Sequence, residues 1–377
     1  MLAATCPARV AAAGRAARGG NRSDRGGDGG DGGSDGDGVA AAVPPAADAI
    51  AAIPGVEGWA PGGSVHGSAA VHSPPAAPPP LWGLDRVNQA ALPLDGDAST
   101  RGCYPAAGAG VHVFVLDTGV ASAHAQFAHL GDRLTAVAAA GSAFPDGSDA
   151  DGHGTHVIGT IAGLGTGVAP RVNVTSIKVL DGTAAGIPAD VVAGVEAAAA
   201  YAVAHPSVPV LLSASLGGPR TAGAPDLLAT AVERAAAAGV VTITAAGNEG
   251  GDACGTTPGA ARRVINVANA DRHDALAPSS NAGVCVDVIA PGTGIVSADA
   301  AHLSGLTGKT GTSMAAPHVT GVAALVLGEV GRRLSREQVL WAVTWGRVTV
   351  AGYPLAYASP DLPGLCAAAA AAATGGA

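Results

Sequence analysis

The feature that most constrains this fold is the alternation, from about residue 110 to residue 330, of short apolar segments with segments of helical periodicity. The apolar segments are rich in β-branched residues, as expected of strands that are buried on both faces of a parallel sheet. Strands are predicted at residues 111–116, 172–180, 208–214, 240–246, 264–268 and 286–290, and helices at residues 154–164, 189–204 and 226–238. This order predicts a three-layer α/β sandwich, in which a mainly parallel central sheet is flanked by helices.

The regions outside this alternation differ from it in composition. Residues 1–50 join an Ala- and Arg-rich start, typical of an organelle-targeting sequence, to a Gly- and Asp-rich run that buries too little apolar surface to fold. Residues 51–80 end in a proline-rich linker, and residues 358–377 are an Ala- and Gly-rich tail. We therefore expect one folded domain at residues 81–357, for which the 48% hydrophobic content supplies a core.

The charge and hydropathy of the chain limit its partners. A formal net charge of −9 without any Lys/Arg cluster disfavours nucleic acids and anionic membranes as partners. No apolar run approaches the roughly 20 residues that cross a bilayer. We expect a monomer that is soluble or proteolytically processed.

Residues 311–318, Gly-Thr-Ser-Met-Ala-Ala-Pro-His, are typical of a loop that presents a hydroxyl group at the start of a buried helix. Small residues before Ser313 leave room for a substrate backbone, and the apolar residues after it recur with helical spacing. Pro317 is expected in the first helical turn, where a missing N–H costs little. Ser313 is therefore a candidate nucleophile, although serine is also a favoured N-cap residue.

Three further polar residues lie at predicted strand ends or helix starts, which one edge of a parallel sheet brings together. Asp117 follows an apolar strand, where a carboxylate either needs specific hydrogen bonds or is a simple turn residue. His153 lies between glycines at the start of a helix, which leaves its imidazole accessible for proton transfer. Asn248 follows another strand, and it either ends that strand or supplies an amide that binds an oxyanion. Together with Ser313, these residues predict an acyl-transfer site.

Metal binding is an alternative for His153 and His156, since both lie on one predicted helix. Zinc hydrolases with helical ligands need histidines at positions i and i+4 with a glutamate between them. The spacing here is i and i+3, so zinc is disfavoured. We interpret His156, like His318, as a partly buried helix residue.

Five segments resemble the signature blocks of the subtilisin-like serine proteases (peptidase family S8), and the order Asp, His, Ser is also that of this family. The blocks are residues 117–119, 153–157, 215–218, 245–248 and 311–318; residues 82–89 and 92–95 are similar to the mature start of the proteinase K branch. The resemblance implies the subtilisin-like fold, with Ser313 as the residue that attacks the scissile carbonyl carbon. It assigns proton transfer to His153, orientation of the imidazole to Asp117, and the oxyanion hole to Asn248 with the Ser313 amide.

The resemblance also assigns the substrate cleft. An extended peptide pairs by β-addition with the family's edge strand, which matches Ser215, Leu216 and Gly217 in this chain. A strand-to-turn transition without function is the alternative for these residues. Ala246 and Gly247 match a wall of small residues, which implies a broad, mainly apolar preference at P1, the residue before the scissile bond.

Two structural features are also implied by the resemblance. Cys254 and Cys285 match a disulfide of thermophilic and cold-adapted bacterial members of the proteinase K branch, which implies an oxidising compartment; two free buried thiols are the alternative. Asp287 matches a calcium-binding carboxylate whose companion ligands are main-chain carbonyl groups near Arg262 and Val264, with a plain strand-end turn as the alternative. Calcium would be structural, because the chemistry requires no cofactor.

We therefore expect a serine endopeptidase that acts on polypeptides and is extracellular or in the secretory pathway, with organelle targeting as the alternative. Only residues 51–57 resemble the closing strand of the family's propeptide, so residues 51–80 are interpreted as a propeptide remnant and linker, with cleavage between residues 72 and 81. Because this propeptide is short, and because Ala184 replaces a glycine in the cleft wall, a catalytically impaired binding protein is the alternative function. A serine esterase, which uses the same machinery, is a third hypothesis.

Overall fold

The computed structural model describes residues 64–67, 81–99, 104–221, 223–346 and 348–359 of the 377-residue chain. Residues 1–50 and 360–377, for which the sequence predicts a targeting or low-complexity region and a tail, lie outside the described residues. Cys6, Cys103 and Cys366 also lie outside them. The described residues form three layers around one large parallel sheet, and this confirms the predicted fold class.

The central sheet has seven strands, and neighbouring strands pair in parallel. In chain order they are β2 (His112–Asp117), β3 (Leu134–Ala138), β4 (Asn173–Lys178), β6 (Val210–Ala214), β8 (Val240–Ala245), β10 (Val264–Ala270) and β11 (Val288–Pro291). Their spatial order is β11-β10-β8-β6-β2-β4-β3, so the chain builds the sheet on both sides of β2. Since parallel strands end at one edge, the loops after β2, β6 and β8 lie near each other.

All six predicted strands lie in this sheet. The strands β6, β8 and β10 are buried along their whole length, which explains the continuous apolar segments in the sequence. The sequence does not predict β3, because this edge strand has two exposed positions and lacks such a segment.

Helices cover both faces of the sheet. On one face, apolar side chains come from α1 (Trp82–Asn88), α2 (His153–Ala162), α5 (Thr312–Val330) and α6 (Arg336–Val343). The other face packs against α3 (Pro188–Ala204) and α4 (Leu227–Ala237). The three helices predicted between the strands correspond to α2, α3 and α4, with small shifts at their ends.

The helix α5 lies in the core. This 19-residue helix is long and apolar enough to cross a membrane, because an 18-residue window within it has a mean hydropathy of 1.3. This differs from the expectation that the chain has no such run. In the fold, 83% of this apolar stretch is buried, so core packing accounts for its composition. Pro317 lies inside α5, beyond the first turn in which it is expected from the sequence.

A smaller antiparallel sheet lies beside the main one. It consists of β1 (Val65–Gly67), β5 (Ala185–Gly186), β7 (Leu216–Pro219) and β9 (Thr256–Thr257), in the spatial order β5-β1-β7-β9. The strand β1 pairs with β5 on one side and with β7 on the other. Two further antiparallel pairs join β12 (Ile295–Ala298) to β13 (Leu306–Lys309) and β14 (Thr349–Val350) to β15 (Tyr353–Pro354).

Candidate active site

The edge of the main sheet brings Asp117 and His153 together. Asp117 is the last residue of β2, and His153 is the first residue of α2, after Gly152 with its left-handed backbone. His153 Nδ1 lies 2.7 Å from Asp117 Oδ1, and both side chains are buried. Because an ionised carboxylate can only accept, Nδ1 carries the proton and Nε2 is the basic atom of the neutral ring. His153 Nε2 is buried and has no hydrogen-bond partner among the described residues.

Asp117 also controls the protonation of His153. Burial disfavours a charged ring, but the Coulombic attraction and the hydrogen bond of Asp117 outweigh it, and the pKa of His153 is raised above its ordinary value. Lys309 and Asp151 have smaller, opposed effects on this pKa. The ring therefore binds a proton more readily than an isolated imidazole, which suits a general base.

Ser313 lies in the first turn of α5, at the same edge of the sheet. Its Oγ donates to the main-chain carbonyl of Ser215 (3.2 Å), and the Ser215 hydroxyl donates to the carbonyl of Ser313 (3.0 Å). The second bond is available because Pro317, which has no N–H, leaves the Ser313 carbonyl without its helical donor. Ser215 thus replaces the missing helix hydrogen bond and fixes the start of α5.

Asn248 follows β8 and contacts Thr312, the residue before Ser313. Its Oδ1 accepts hydrogen bonds from the N–H of Thr312 (2.9 Å) and from the Thr312 hydroxyl (3.2 Å). These bonds fix the orientation of the carboxamide, and they leave Nδ2 buried without a hydrogen-bond partner in the described part of the chain. Because an unsatisfied buried donor is costly, this atom indicates a site for an anion or a carbonyl oxygen.

Asp149, which is not among the residues predicted from the sequence, holds two segments of the site together. One of its carboxylate oxygens accepts from the Thr118 hydroxyl (2.8 Å) and from the N–H of Gly152 (2.8 Å). The other accepts from the N–H (2.9 Å) and the hydroxyl (2.6 Å) of Thr155. Since Thr118 follows Asp117, Asp149 joins the loop after β2 to the start of α2. Its place just before a helix, where carboxylates are favourable, is a weak sequence signal for this role.

The strand β1 occupies a groove between β5 and β7. Of the residues predicted to bind substrate, Leu216 and Gly217 pair with β1, which therefore adds a strand to this edge. On the other side, the N–H of Gly67 donates to the Ala184 carbonyl (2.7 Å). The groove thus holds an extended peptide, here a part of the chain itself, beside His153.

The other two predicted substrate-binding residues form a turn after β8. Ala246 is fully buried, and its N–H donates to the Val267 carbonyl on β10 (3.0 Å). The N–H of Gly247 donates to Thr312 Oγ1 (3.2 Å), and its φ of 103° is one that glycine adopts readily. The turn therefore lies against the first turn of α5, which carries Ser313.

Ala184 narrows the groove. Its φ of 57° lies in the left-handed region, which favours glycine. A Cβ atom added at Gly67 would lie 3.2 Å from the Ala184 Cβ, 3.5 Å from Leu180 and 3.6 Å from His153 Nδ1. The first of these distances is shorter than an ordinary contact, so the groove restricts the size of the residue beside His153.

His156 and His318 are fully buried helix residues. His156 Nε2 donates to the carbonyls of Ile295 (3.0 Å) and Thr307 (3.2 Å), and burial lowers its pKa to about 3. His318 Nδ1 donates to the Met314 carbonyl (2.8 Å), and burial lowers its pKa to about 4. Across the residues that the structure describes, no group of three or more His, Cys, Asp or Glu side chains is arranged to hold a metal ion.

Cys254 and Cys285 form a disulfide, with their Cα atoms 5.2 Å apart. The bond closes a loop over a sequence separation of 31 residues. In the chain-entropy description, a loop of this length stabilises the fold by about 3–4 kcal/mol. The structure therefore contains the bonded pair and not two free thiols.

Asp287 does not fit a calcium ligand in this structure, contrary to the expectation from the sequence. The N–H of Asn266 donates to one carboxylate oxygen (2.9 Å), and the guanidinium of Arg336 donates to the other. Arg336 also donates to the carbonyl of Val264 (2.8 Å), the expected companion ligand. Both groups that calcium would bind are thus already in contact with a cation of the chain, while Arg262 is exposed.

Comparisons with known proteins identify the family that this chain resembles. A sequence model of the subtilase family matches residues 108–345. The chain is 40% identical over 285 residues to an extracellular serine proteinase of Thermus sp. (strain Rt41A), an alignment that covers 75% of this chain and 63% of the relative. It is 42% identical over 249 residues to alkaline serine exoprotease A of Vibrio alginolyticus, covering 66% of this chain and 43% of that protein. The chain thus spans less than two thirds of these relatives.

A solved structure is also similar. The crystal structure of a cold adapted subtilisin-like serine proteinase superposes with a TM-score of 0.63 and 35% sequence identity. The match covers 74% of this chain and 97% of that one. The similarity therefore extends over nearly the whole chain of the solved proteinase.

Proposed function

Because this chain belongs to the subtilase family, we propose that it is a serine endopeptidase that hydrolyses peptide bonds through an acyl-enzyme intermediate. The observation that carries the proposal is a pair of buried polar atoms without hydrogen-bond partners among the described residues, His153 Nε2 and Asn248 Nδ2. One is a base and the other a donor, and Ser313 lies at the same edge of the sheet. A hydroxyl, a base and an oxyanion donor are the groups that acyl transfer requires.

In the proposed mechanism, Ser313 Oγ forms a bond to the scissile carbonyl carbon while its proton passes to His153 Nε2. Asp117 stabilises the imidazolium, and Asn248 Nδ2 with the Ser313 N–H donates to the oxyanion. The C–N bond then breaks, and His153 returns its proton to the leaving amine. Water attacks the resulting ester in the same way and releases the second product.

We propose extended polypeptides as the substrates. The strand β1 supports this, because it binds between β5 and β7 through main-chain hydrogen bonds, which any sequence can form. The single methyl group of Ala246 and the absence of a side chain at Gly247, beside the first turn of α5, support space for an apolar P1 residue. The disulfide, together with a relative named as extracellular, supports secretion into an oxidising compartment.

The register of β1 supports a proposal for the maturation of the chain. Gly67 pairs with Leu216, so a peptide that continues in this register has its next residue opposite Ser215. The carbonyl of Ser215 contacts Ser313 Oγ, and this supports the next peptide bond of such a peptide as the one that is attacked. By extension of the β1 register, we propose that cleavage follows Ser68.

Active-site labelling tests the proposal. We expect a fluorophosphonate probe to form an adduct with the refolded wild-type protein and with the control variant Ser304→Ala, whose serine is exposed outside the cleft. The adduct should be absent in Ser313→Ala and in His153→Ala. Mass spectrometry of the labelled peptide locates the adduct, and labelling of the Ser313→Ala variant would contradict the assignment.

A binding protein with impaired catalysis is the second candidate, because β1 occupies the cleft and Ala184 narrows it. Casein turnover by protein from which residues 1–68 have been removed separates the two functions. A peptidase is expected to hydrolyse casein with turnover that depends on Ser313, where loss of the serine costs about 10⁶-fold in subtilisin itself. An esterase would hydrolyse a matched ester but not the corresponding peptide.

A further inference from the structure

Arg336 connects three elements at the end of the main sheet opposite β3. It is the first residue of α6, and its side chain reaches β10, which begins at Val264, and Asp287, which precedes β11. The guanidinium donates to the Val264 carbonyl (2.8 Å) through Nε and to the Asp287 carboxylate through Nη2. Both side chains are largely buried, with exposed fractions of 18% for Arg336 and 25% for Asp287.

The position of Arg336 is fixed by the start of its helix. The Ser335 hydroxyl accepts from the N–H of Gln338 (3.3 Å), and the Gln338 side chain accepts from the N–H of Ser335 (2.9 Å). This reciprocal pair defines where α6 begins, and therefore where the Arg336 side chain leaves the backbone. The guanidinium is thus held in place from its own helix as well as by its two acceptors.

The acceptors of Arg336 are chemically suited to a cation. A carboxylate and a main-chain carbonyl are the oxygen ligands that calcium prefers, and the second Asp287 oxygen is already bound by the N–H of Asn266. A guanidinium supplies positive charge and directional donors to the same oxygens. Calcium at this position would have to displace Arg336 and leave its charge unpaired.

We propose that Arg336 is a permanent internal cation that takes the place of a bound calcium ion between β10, β11 and α6. Because it is part of the chain, it is not removed by chelators or dilution. The contacts at this junction are therefore independent of the calcium concentration. This inference does not depend on the proposed peptidase activity.

Calcium stoichiometry tests the proposal directly. Equilibrium dialysis against calcium chloride compares two full-length proteins. The parent carries Ser313→Ala, which prevents self-cleavage, and the second protein carries both Ser313→Ala and Asp287→Asn. We expect both proteins to bind the same number of calcium ions, whatever that number is. If the Asp287→Asn protein binds fewer ions than its parent, Asp287 is a calcium ligand and the proposal is overturned.

Thermal unfolding in the presence of EDTA tests the stabilising role of Arg336. We expect Arg336→Gln to lower the unfolding midpoint clearly more than Arg263→Gln, a control that removes a nearby, largely exposed arginine paired with Glu233. Equal midpoints for these two variants would overturn the proposal. If Arg336→Gln fails to fold, Arg336→Lys keeps the charge but loses the planar fork, and its midpoint is compared with that of Arg263→Lys in the same way.

Discussion

Asp117 distinguishes His153 from His156 and His318, two other buried histidines. Burial lowers the pKa of His156 and of His318, because neither has a carboxylate beside it. His153 is equally buried, yet its pKa is raised, since the attraction and hydrogen bond of Asp117 outweigh burial. One carboxylate thus makes a buried ring a usable base at neutral pH.

We expect Asp117→Asn to lower kcat/KM at neutral pH by about 10⁴-fold, because the amide stabilises neither the imidazolium nor the required tautomer. Activity needs neutral His153, so it is lost as the pH falls through the pKa of the ring, which lies above the ordinary histidine value. Without Asp117, burial dominates, and the acid limb of the pH profile should move to lower pH.

Profiles of kcat/KM against pH for the wild type and Asp117→Asn measure this shift. Asp151→Asn is the control, since the charge of Asp151 has a smaller effect on His153. An acid limb that stays in place in Asp117→Asn would contradict the role proposed for Asp117.

The four candidate catalytic residues could be predicted from the sequence because each lies in a short motif at a strand end or helix start. The contacts of Asp149 and Arg336 could not be predicted from the sequence. Arg336 and Asp287 are 49 residues apart, and no local pattern indicates that they meet. Pairings of this kind are set by how helices pack on the sheet, and periodicity does not reveal that packing.

At the scale of secondary-structure elements, the helices and strands that could be predicted from the sequence are those with regular periodicity. The buried strands β6, β8 and β10 are largely apolar, and α3 and α4 have helical spacing. The strand β1 has only three residues and acquires its conformation from β5 and β7. An element that short is defined by its neighbours, so its role in the cleft becomes visible only in three dimensions.

The wall formed by Ala184 leads to a prediction about specificity. We expect the wild type to prefer peptides with glycine at P2, the position of Gly67, because a larger residue meets the Ala184 Cβ at 3.2 Å. Overpacking of this kind costs about 1–3 kcal/mol, so kcat/KM should be lower by at least about 5-fold for leucine than for glycine at P2.

The variant Ala184→Gly should reduce this preference and keep the fold, since glycine adopts the left-handed φ of this position readily. Peptide pairs that differ only at P2 measure the ratio. Ala185→Gly, which changes the neighbouring residue of β5, is the matched control and should leave the ratio unchanged. A ratio that is equal in the wild type and Ala184→Gly would show that Ala184 does not set this preference.

At the scale of the whole molecule, residues 64–67, which precede the proline-rich linker, pack against the folded domain. Val65 is buried in the apolar cluster beneath α3 and α4, although it precedes the domain boundary expected at residue 81. The sequence places this segment outside the folded domain, because its neighbours are rich in proline and small residues. Long-range strand pairing, which composition does not report, attaches it to the cleft.

We expect the first product of self-cleavage to begin at Ala69, because a peptide that continued the β1 register beyond Gly67 would bring its next peptide bond to Ser313. A time course of refolding, followed by mass spectrometry of intact protein, identifies this product. The Ser313→Ala variant should keep residues 1–68 attached throughout. A first cut between residues 72 and 81, the position expected from the sequence, would contradict this register.

The burial of α5 links the loss of activity on heating to the unfolding of the domain. Ser313 and Thr312, which orients Asn248, lie in the first turn of a helix that is itself surrounded by the core. The helix cannot unfold without exposing that core, and the core cannot open without displacing Ser313. Heat inactivation and global denaturation should therefore be a single transition, so that residual turnover measures the fraction of molecules still intact.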